Sequence, residues 1–255
     1  MWEMNARLPI SAVIITFNEE EMIEGCLNSI VNIVDEIVVI DSFSTDRTME
    51  ICLNRDVKFH QFEWAGYSHA KNKGNHLASH EMILSIDADE RIGDILADEI
   101  KNYASQGYSG AGLIRRKNYY GDKWIKHSGW YPDKKIRLFN KNLSHWSGEY
   151  VHERLICSEP IAEFEGHIIH YTIKDNIHHL NTIHKYAKLA SERTFEKGKI
   201  LRLIPAVFST VTTFIKTYLF KLGYLDGMEG YKIAINSARS KWLRYTYFKE
   251  LARTN

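Results

Sequence analysis

The sequence predicts an α/β protein in which βαβ units build a parallel sheet up to Tyr108, a mixed sheet follows, and helices fill the chain from Asp175 onward. Three observations predict it. Short β-branched runs such as Val13-Ile14-Ile15-Thr16 and Ile37-Val38-Val39-Ile40 alternate with helix-patterned segments, as in a sheet covered on both faces. The runs stop abruptly at polar or acidic residues, the mark of strand ends that open into a crevice. From Asp175 the pattern is helical, broken at Gly198, Pro205, Gly223, Gly227 and Gly230.

In chain order, Ile10 to Phe17 reads as the first strand, and Asn18-Glu19-Glu20 caps a helix through about Ile33. Asp35 to Ile40 is the second strand, stopped at Asp41. Ser44 or Thr45 then caps the helix carrying Met49, Ile51, Cys52 and Leu53. Lys58 to Phe62 is a third strand, Tyr67 to Ser79 a helix and Met82 to Ile86 a fourth strand. Gly110 to Tyr119, Lys134 to Phe139, Glu149 to Ile156 and Gly166 to Tyr171 read as further strands separated by aromatic loops.

A chain of 255 residues, 44% hydrophobic and 25% charged, can bury a sizeable core. Its net charge of +1 excludes a globally basic nucleic-acid binder. Cys26, Cys52 and Cys157 lack metal-ligand spacing and are odd in number, which argues against a disulfide scaffold and a structural zinc site and for a reducing compartment. Met1 to Pro9 has no apolar core of a signal peptide, so the expected location is cytoplasmic.

The chemistry centres on Met82-Ile83-Leu84-Ser85-Ile86-Asp87-Ala88-Asp89-Glu90-Arg91. Asp87 and Asp89 project to one side if strand geometry continues, and adjacent carboxylates repel unless a cation sits near them. Hard oxygen ligands of this kind suit Mg²⁺ or Mn²⁺ shared with a substrate phosphate. A solvated strand end or an acid-rich helix N-terminus is the plainer alternative.

Four successive segments carry a resemblance. Val13-Ile14-Ile15-Thr16-Phe17-Asn18-Glu19, Val38-Val39-Ile40-Asp41 with Ser44-Thr45-Asp46, Ala70-Lys71-Asn72-Lys73-Gly74, and Asp87-Ala88-Asp89-Glu90 resemble the signatures of glycosyltransferase family 2 in order and spacing. Trp130-Tyr131-Pro132-Asp133, Arg137-Leu138-Phe139 and Val151-His152-Glu153 extend the likeness to the lipopolysaccharide core β-1,4-glucosyltransferase subgroup. The resemblance implies a GT-A (Rossmann-like) fold, a nucleotide-sugar donor such as UDP-glucose, inversion at the anomeric carbon and a divalent cation. It also implies a catalytic domain at 1–174, with a nucleotide-binding half (1–107) and an acceptor-binding half (108–174), followed by a helical region at 175–255.

Carried over residue by residue, the resemblance makes Asp41 the acceptor of the uracil imide N–H, with helix capping as its alternative. Thr16, Asn18 and Glu19 close the base and ribose pocket, and Phe17 stands where many relatives carry Tyr. Lys71 neutralises the nucleotide unless it is an exposed helix lysine. Asp87 is the ribose-side acid and Asp89 the metal ligand. Inversion needs a base opposite the leaving group. Glu153 is the first candidate and Glu149 and Asp133 are the reserves, while His152 reaches the metal or the diphosphate. A polar network at a strand end is the alternative for His152 and Glu153. Trp124, Trp130, Tyr131 and Trp146, in loops near Gly121, Gly129 and Gly148, can stack on acceptor sugars or form a satellite core. Arg115, Arg116, Lys117, Lys134, Lys135 and Arg137 bring cations to an anionic acceptor.

The near-neutral total hides a basic end. From Lys197 onward, Lys199, Arg202, Lys216, Lys221, Lys232, Arg239, Lys241, Arg244, Lys249 and Arg253 face only Asp226, Glu229 and Glu250, with aromatic and aliphatic residues between them. That mixture suits an interfacial helix on the cytoplasmic face of an inner membrane, where a lipid-linked glycan acceptor is presented. The uncharged run Leu203 to Ile215 is short of the ~20 residues a spanning helix needs. A helical cap or a homo-oligomer contact is the alternative use of the same residues. Two rivals remain for the whole chain: a sugar nucleotidyltransferase, whose glycine-rich phosphate loop is missing, and an inactive glycan-binding protein, against which Asp41, Asp87 and Asp89 speak.

Overall fold

A computed structural model describes residues 8–107, 110–148, 153–198 and 200–254. The chain divides into two compact units, Met1–Arg116 with Lys134–His170, and Lys117–Asp133 with Tyr171–Asn255. This differs from the boundary expected at 174, because residues 117–133 group with the helical region. Within that second unit the buried Asp226 carboxylate accepts the backbone N–H groups of Lys126 and His127 at 3.1 Å and the Ser128 hydroxyl at 2.9 Å, which ties the loop to the helices.

The chain begins with β1 (Leu8–Thr16), α1 (Ile23–Ile30), β2 (Val34–Asp41), α2 (Thr48–Leu53), β3 (Lys58–Gln61), α3 (Tyr67–Leu77), β4 (Met82–Asp87), β5 (Glu90–Ile92) and α4 (Asp94–Ser105). Then come β6 (Ala111–Tyr120), β7 (Lys123–Trp124), β8 (Asp133–Asn140), β9 (Ser144–Ser147), β10 (Arg154–Cys157) and β11 (Ile161–Ile173). The sheet order is β3-β2-β1-β4-β8-β6-β11-β5, with β7 paired to β6. β3, β2, β1 and β4 are parallel, β8 joins β4 antiparallel, and β5 pairs antiparallel with β11. The mixed sheet expected beyond Tyr108 is therefore present. The strand expected over Glu149 to Ile156 is described only from Arg154, where β10 forms a separate ribbon with β9, and its residues 149–152 lie outside the described part.

The β-branched strands are apolar on both faces because both faces are covered. Ile10, Ala12 and Ile14 of β1 pack with Ile23, Leu27 and Ile30 of α1 and with Leu96 and Ile100 of α4. Val13 and Ile15 face the other way, into a cluster with Val38, Ile40, Ile83, Phe139 and Ala70 of α3. Gly74 makes that closeness achievable, since a Cβ there would sit 2.4 Å from Val13 Cγ1. The parallel register puts Thr16 beside Asp41 and Ile15 beside Asp87, so three neighbouring strands deliver polar ends to one edge. Sequence reading does not find β5, α4 or β9. β5 and β9 are too short for periodicity to show.

The second unit contains α5 (Asn176–Glu196), α6 (Leu203–Ile215), a π-helical turn (Lys216–Phe220), a 3-10 turn (Gly223–Asp226) and α7 (Gly227–Thr254). Asp175 caps α5 by accepting the His178 N–H at 2.7 Å. Two of the expected breaks are not breaks. Pro205 occupies the first turn of α6, where its missing N–H costs nothing. Gly230 lies inside α7, and a Cβ there would fall 1.9 Å from the Gly223 carbonyl oxygen, so glycine is required by close packing. α6 and the π turn together make an apolar helix of 18 residues, Leu203–Phe220, with mean hydropathy 1.4 and 6% of it buried. By length and composition it is long enough to cross a membrane, beyond the run ending at Ile215 that sequence reading gives.

Candidate active site

The loops after β1 and β2 are laced together. Asn18 adopts a left-handed φ of 55°, which Asn tolerates better than most residues. Its N–H donates to Ser44 Oγ at 2.8 Å, and its Oδ1 accepts the Thr45 N–H at 2.8 Å. The Glu19 N–H donates to Thr48 Oγ1 at 2.8 Å. Asp41 is fully buried, and its carboxylate accepts the Ser44 N–H at 2.8 Å, the Gln61 side-chain N–H at 2.9 Å and the Ser44 hydroxyl. With Ser44 and Thr45 engaged in this way, it is Asp46 that accepts the Thr48 N–H, at 3.0 Å, where α2 starts. Thr16 Oγ1 is buried beside Asp41 with no hydrogen-bond partner in the described structure, an orphan polar atom at the strand ends.

At the end of β4 a buried ion network surrounds Asp87. Lys71 of α3 is 2% exposed and Arg137 of β8 is 3% exposed. Arg137 Nη2 donates to Asp87 Oδ2 at 2.7 Å and to Glu90 Oε1 at 2.6 Å, and Arg116 donates to the same Glu90 oxygen at 2.9 Å. Lys71 Nζ donates to Glu153 Oε1 at 2.7 Å. It also lies 3.1 Å from Asp87 Oδ1, an ion pair without hydrogen-bond alignment, and 4.6 Å from the Trp146 ring centroid. Glu90 Oε2 accepts the Asp87 N–H at 2.9 Å, which closes the turn between β4 and β5. Burial alone would raise the Asp87 pKa, but the Arg137 and Lys71 cations outweigh it and hold the carboxyl well below the usual range.

Asp89 stands beyond this network. Its Oδ2 lies 3.2 Å from His170 Nε2, and the carboxylate raises the histidine's pKa against the opposing effect of burial. Glu19 is pushed up to about 7, first by burial and then by the Asp89, Asp46 and Glu21 carboxylates. Negative charge is thus concentrated around Asp89, whereas the Asp87 charge is already matched by Lys71 and Arg137. No three His, Cys, Asp or Glu side chains gather as a metal cage among the described residues. The arrangement fits a hard cation held by one carboxylate, Asp89, and completed by substrate phosphates.

The chain matches the profile of Glycosyl transferase family 2 over residues 11–164. It belongs to that family. Relatives span nearly its whole length: an uncharacterized glycosyltransferase of Rickettsia typhi is 27% identical over 95% of this chain and 87% of its own. The lipopolysaccharide core biosynthesis glycosyltransferase LpsC of Rhizobium meliloti is 25% identical over 92% of this chain and 90% of its own. Crystal structures of S. aureus TarS 1-349 align over 96% of this chain and 92% of theirs, at 16% identity and a TM-score of 0.49. The protein is a family 2 glycosyltransferase, and its mixed sheet with flanking helices is of the GT-A type.

Of the expected site, the strand-end residues Thr16, Asn18, Glu19, Asp41, Asp87 and Asp89 stand on neighbouring loops and strand ends of the first unit. Glu153 joins Asp87 through Lys71. Lys71 is a buried ion-pair partner, not an exposed helix lysine. Arg137, expected at an acceptor, is instead buried between Asp87 and Glu90, because pairing Leu138 with Leu84 carries it toward the acidic end of β4. Trp146 is a core ring edge-on to Phe139, 6.0 Å between centroids, not a sugar platform. Asp133 belongs to the second unit, where it accepts from Asn118 at 3.2 Å. There Trp130 stacks on Tyr120 and Tyr131 meets Trp124 edge-on. Glu149 and His152 lie outside the described residues.

The sequence alone gives no role to His170 or Glu90 and places Arg116 among the cations for an anionic acceptor, whereas it is paired with the buried Glu90. A histidine within the apolar strand Ile168-Ile169-His170 was the one available signal, and only the β5–β11 register, with His170 opposite Glu90, gives it meaning.

Proposed function

We propose that this enzyme transfers a hexose, with glucose the first candidate, from a UDP-sugar to a lipopolysaccharide core or other lipid-linked glycan, by single displacement with inversion. The observation that carries this reading is the convergence of Thr16, Asp41 and Asp87 at adjacent strand ends, with Asp89 one turn further on. The orphan Thr16 hydroxyl has a use in a nucleotide pocket, and the R. meliloti relative is described as acting in lipopolysaccharide core biosynthesis. Asp41, expected to accept the uracil imide N–H itself, is wholly buried with its carboxylate on Ser44 and Gln61, so in this reading it shapes the wall that receives the base. In the transfer, the acceptor hydroxyl oxygen bonds to the anomeric carbon as the bond to the diphosphate oxygen breaks. Glu153, held beside Asp87 by Lys71, takes the hydroxyl proton, and the nucleoside diphosphate leaves. A divalent cation shared by Asp89 and the diphosphate would supply neutralising charge to the leaving group.

The helical unit docks the enzyme peripherally on an anionic membrane. No residue of α6 is buried, and the exposed basic side chains Arg202, Lys216, Lys221, Arg239, Lys241 and Lys249 match an anionic leaflet. Docking in the interface is favoured over spanning because α6 packs along α7, which carries several of those charges. The test of the transfer reading is nucleoside-diphosphate release from a panel of nucleotide sugars, with and without Mg²⁺ or Mn²⁺. Asp89→Ala should abolish release without changing the melting temperature, and full activity in excess chelator rules the cation out.

A further inference from the structure

The second unit holds an open groove of about 730 Å³ that no part of the transfer chemistry uses. The hairpin of β6 and β7 supplies Tyr119, Tyr120 and Trp124, the link from β11 to α5 supplies Lys174 and Asp175, and α7 supplies Lys232. Tyr120 is nearly buried, its hydroxyl donates to Asn176 Oδ1 at 3.3 Å, and Lys232 Nζ stands 5.8 Å from its ring centroid. At the rim Lys123 pairs with Glu229 at 3.0 Å. The lining thus offers aromatic rings together with Lys123, Lys174 and Lys232 against Asp122, Asp175 and Glu229, a balanced set of ammonium and carboxylate groups.

That balance selects among ligand classes. An apolar ligand would strip water from a lining that carries six charged side chains, Lys123 and Glu229 among them as an ion pair. A free phosphate would meet as many carboxylates as ammonium groups. A pyranose matches this mixture: its C–H face suits aromatic rings, and its hydroxyls can donate to carboxylates and accept from lysines, including groups that already share a partner such as Lys123 and Glu229. The volume falls within the roughly 300–1,000 Å³ of small-molecule sites. The groove also has a neighbour on its own helix. Met228, Tyr231 and Ile235 are exposed on α7; Met228 and Tyr231 are each one residue, about 100° of helix rotation, from the groove residues Glu229 and Lys232, and Ile235 continues their strip one turn on. A sugar in the groove therefore lies beside an apolar strip suited to lipid.

We propose that this groove is a saccharide-binding site that holds the headgroup glycan of the membrane-borne acceptor, with the lipid portion against the exposed strip of α7. The inference rests on the lipid-linked acceptor named above. It adds a site for that acceptor made of residues outside the strand-end crevice.

The test titrates the full-length protein with lipopolysaccharide core oligosaccharide freed of lipid A, followed by saturation-transfer NMR, with inorganic phosphate as a second probe. Wild-type protein should bind the oligosaccharide, and phosphate should not displace it. Trp124→Ala and Lys232→Met should each weaken binding about tenfold or more with unchanged melting temperature, and Lys232→Arg should restore most of it. Unchanged affinity in both variants, or displacement by phosphate alone, overturns the proposal. If wild-type protein releases nucleoside diphosphate from a donor but binds no oligosaccharide, the groove site fails and the transferase reading stands. Groove-dependent binding without any donor turnover supports the site and sinks the transfer reading instead.

Discussion

The two units invert the usual distribution of charge and oil. In the first, Lys71, Arg137 and Glu90 are almost wholly enclosed, while in the second Ile204 is 81%, Phe208 70% and Phe220 80% exposed. Charges are rarely buried unless paired, and large apolar patches rarely stay in water. The buried charges are paired, so the network around Asp87 is a preorganised electrostatic wall whose geometry cannot relax cheaply. Among the described residues nothing buries the exposed apolar face of α6, and the membrane docking proposed above would cover it. One region meets its own charges within the protein, while the proposed docking assigns the cover of the other to a membrane.

The largest test of this contrast removes a cation from the enclosed network. Arg137→Met removes the guanidinium that bridges Asp87 and Glu90, leaving Lys71 in an ion pair with Asp87 and Arg116 in one with Glu90. Breaking one partner of a buried pair costs about 3–5 kcal/mol, so urea denaturation should show a loss of that size. Adding Glu90→Gln to the same chain should recover part of it, because fewer uncompensated charges remain. Wild-type stability in Arg137→Met means that the network is not structural and the contrast between the units is false.

Next in size is the effect on turnover at the edge of the network. Glu153→Gln keeps the size of the side chain and its place beside Lys71 but removes the proton acceptor. Donor binding should remain near normal while turnover falls about a hundredfold or more. If Glu153→Gln turns over normally and Glu149→Gln or Asp133→Asn does not, the base is one of those residues.

How legible was this in the sequence? The strand-end residues were, because parallel strands announce themselves as apolar runs and their ends follow. Asp41, Asp87 and Asp89 needed no tertiary knowledge to be suspected. Lys71, Arg137 and His170 were not legible in their observed roles, since each depends on a pairing between segments far apart in the chain: α3 with Glu153, β8 with β4, β11 with β5. Trp146 shows the same limit from the other side. A tryptophan near glycines in a loop reads as a platform, yet β9 carries it into the core beneath Lys71. The grouping of residues 117–133 with the helices was hidden as well, because it hangs on Asp226, which reads in sequence only as one of few acids in a basic end.

A smaller effect tests the other side of the comparison. Ile204→Asp with Phe208→Asp places two carboxylates on the exposed face of α6, where no side chain is buried and the fold has little to lose. Sedimentation with anionic liposomes should drop about tenfold for this variant at low salt, and wild-type binding should fall as salt rises, since each basic residue near the leaflet contributes roughly 1 kcal/mol. Equal binding to neutral and anionic vesicles removes the electrostatic part of the argument. No binding by wild-type protein removes the membrane and leaves a protein partner, a second copy included, to cover the face.

The smallest effect concerns a carboxylate intermediate between the two extremes. Glu36 of β2 accepts the Ser79 N–H at 2.7 Å and the Ser79 hydroxyl at 2.8 Å, and it also meets Lys58 and the Ser11 hydroxyl, tying β1, β2, β3 and the turn before β4 together. Burial alone would raise its pKa, but Lys58, Ser11 and Ser79 together lower it from 4.5 to about 2. Between those two values the unfolded chain binds a proton that the folded chain does not, so stability rises with pH across that window. The contribution of Glu36 is complete above 4.5 and lost as pH falls toward 2. Lys58 is half exposed and water screens the pair, so Glu36→Gln should cost on the order of 1–2 kcal/mol at neutral pH, less than the network around Asp87. Denaturation midpoints of the variant and wild type should converge as pH drops through that window, and a gap that stays constant with pH would assign the loss to packing rather than to charge.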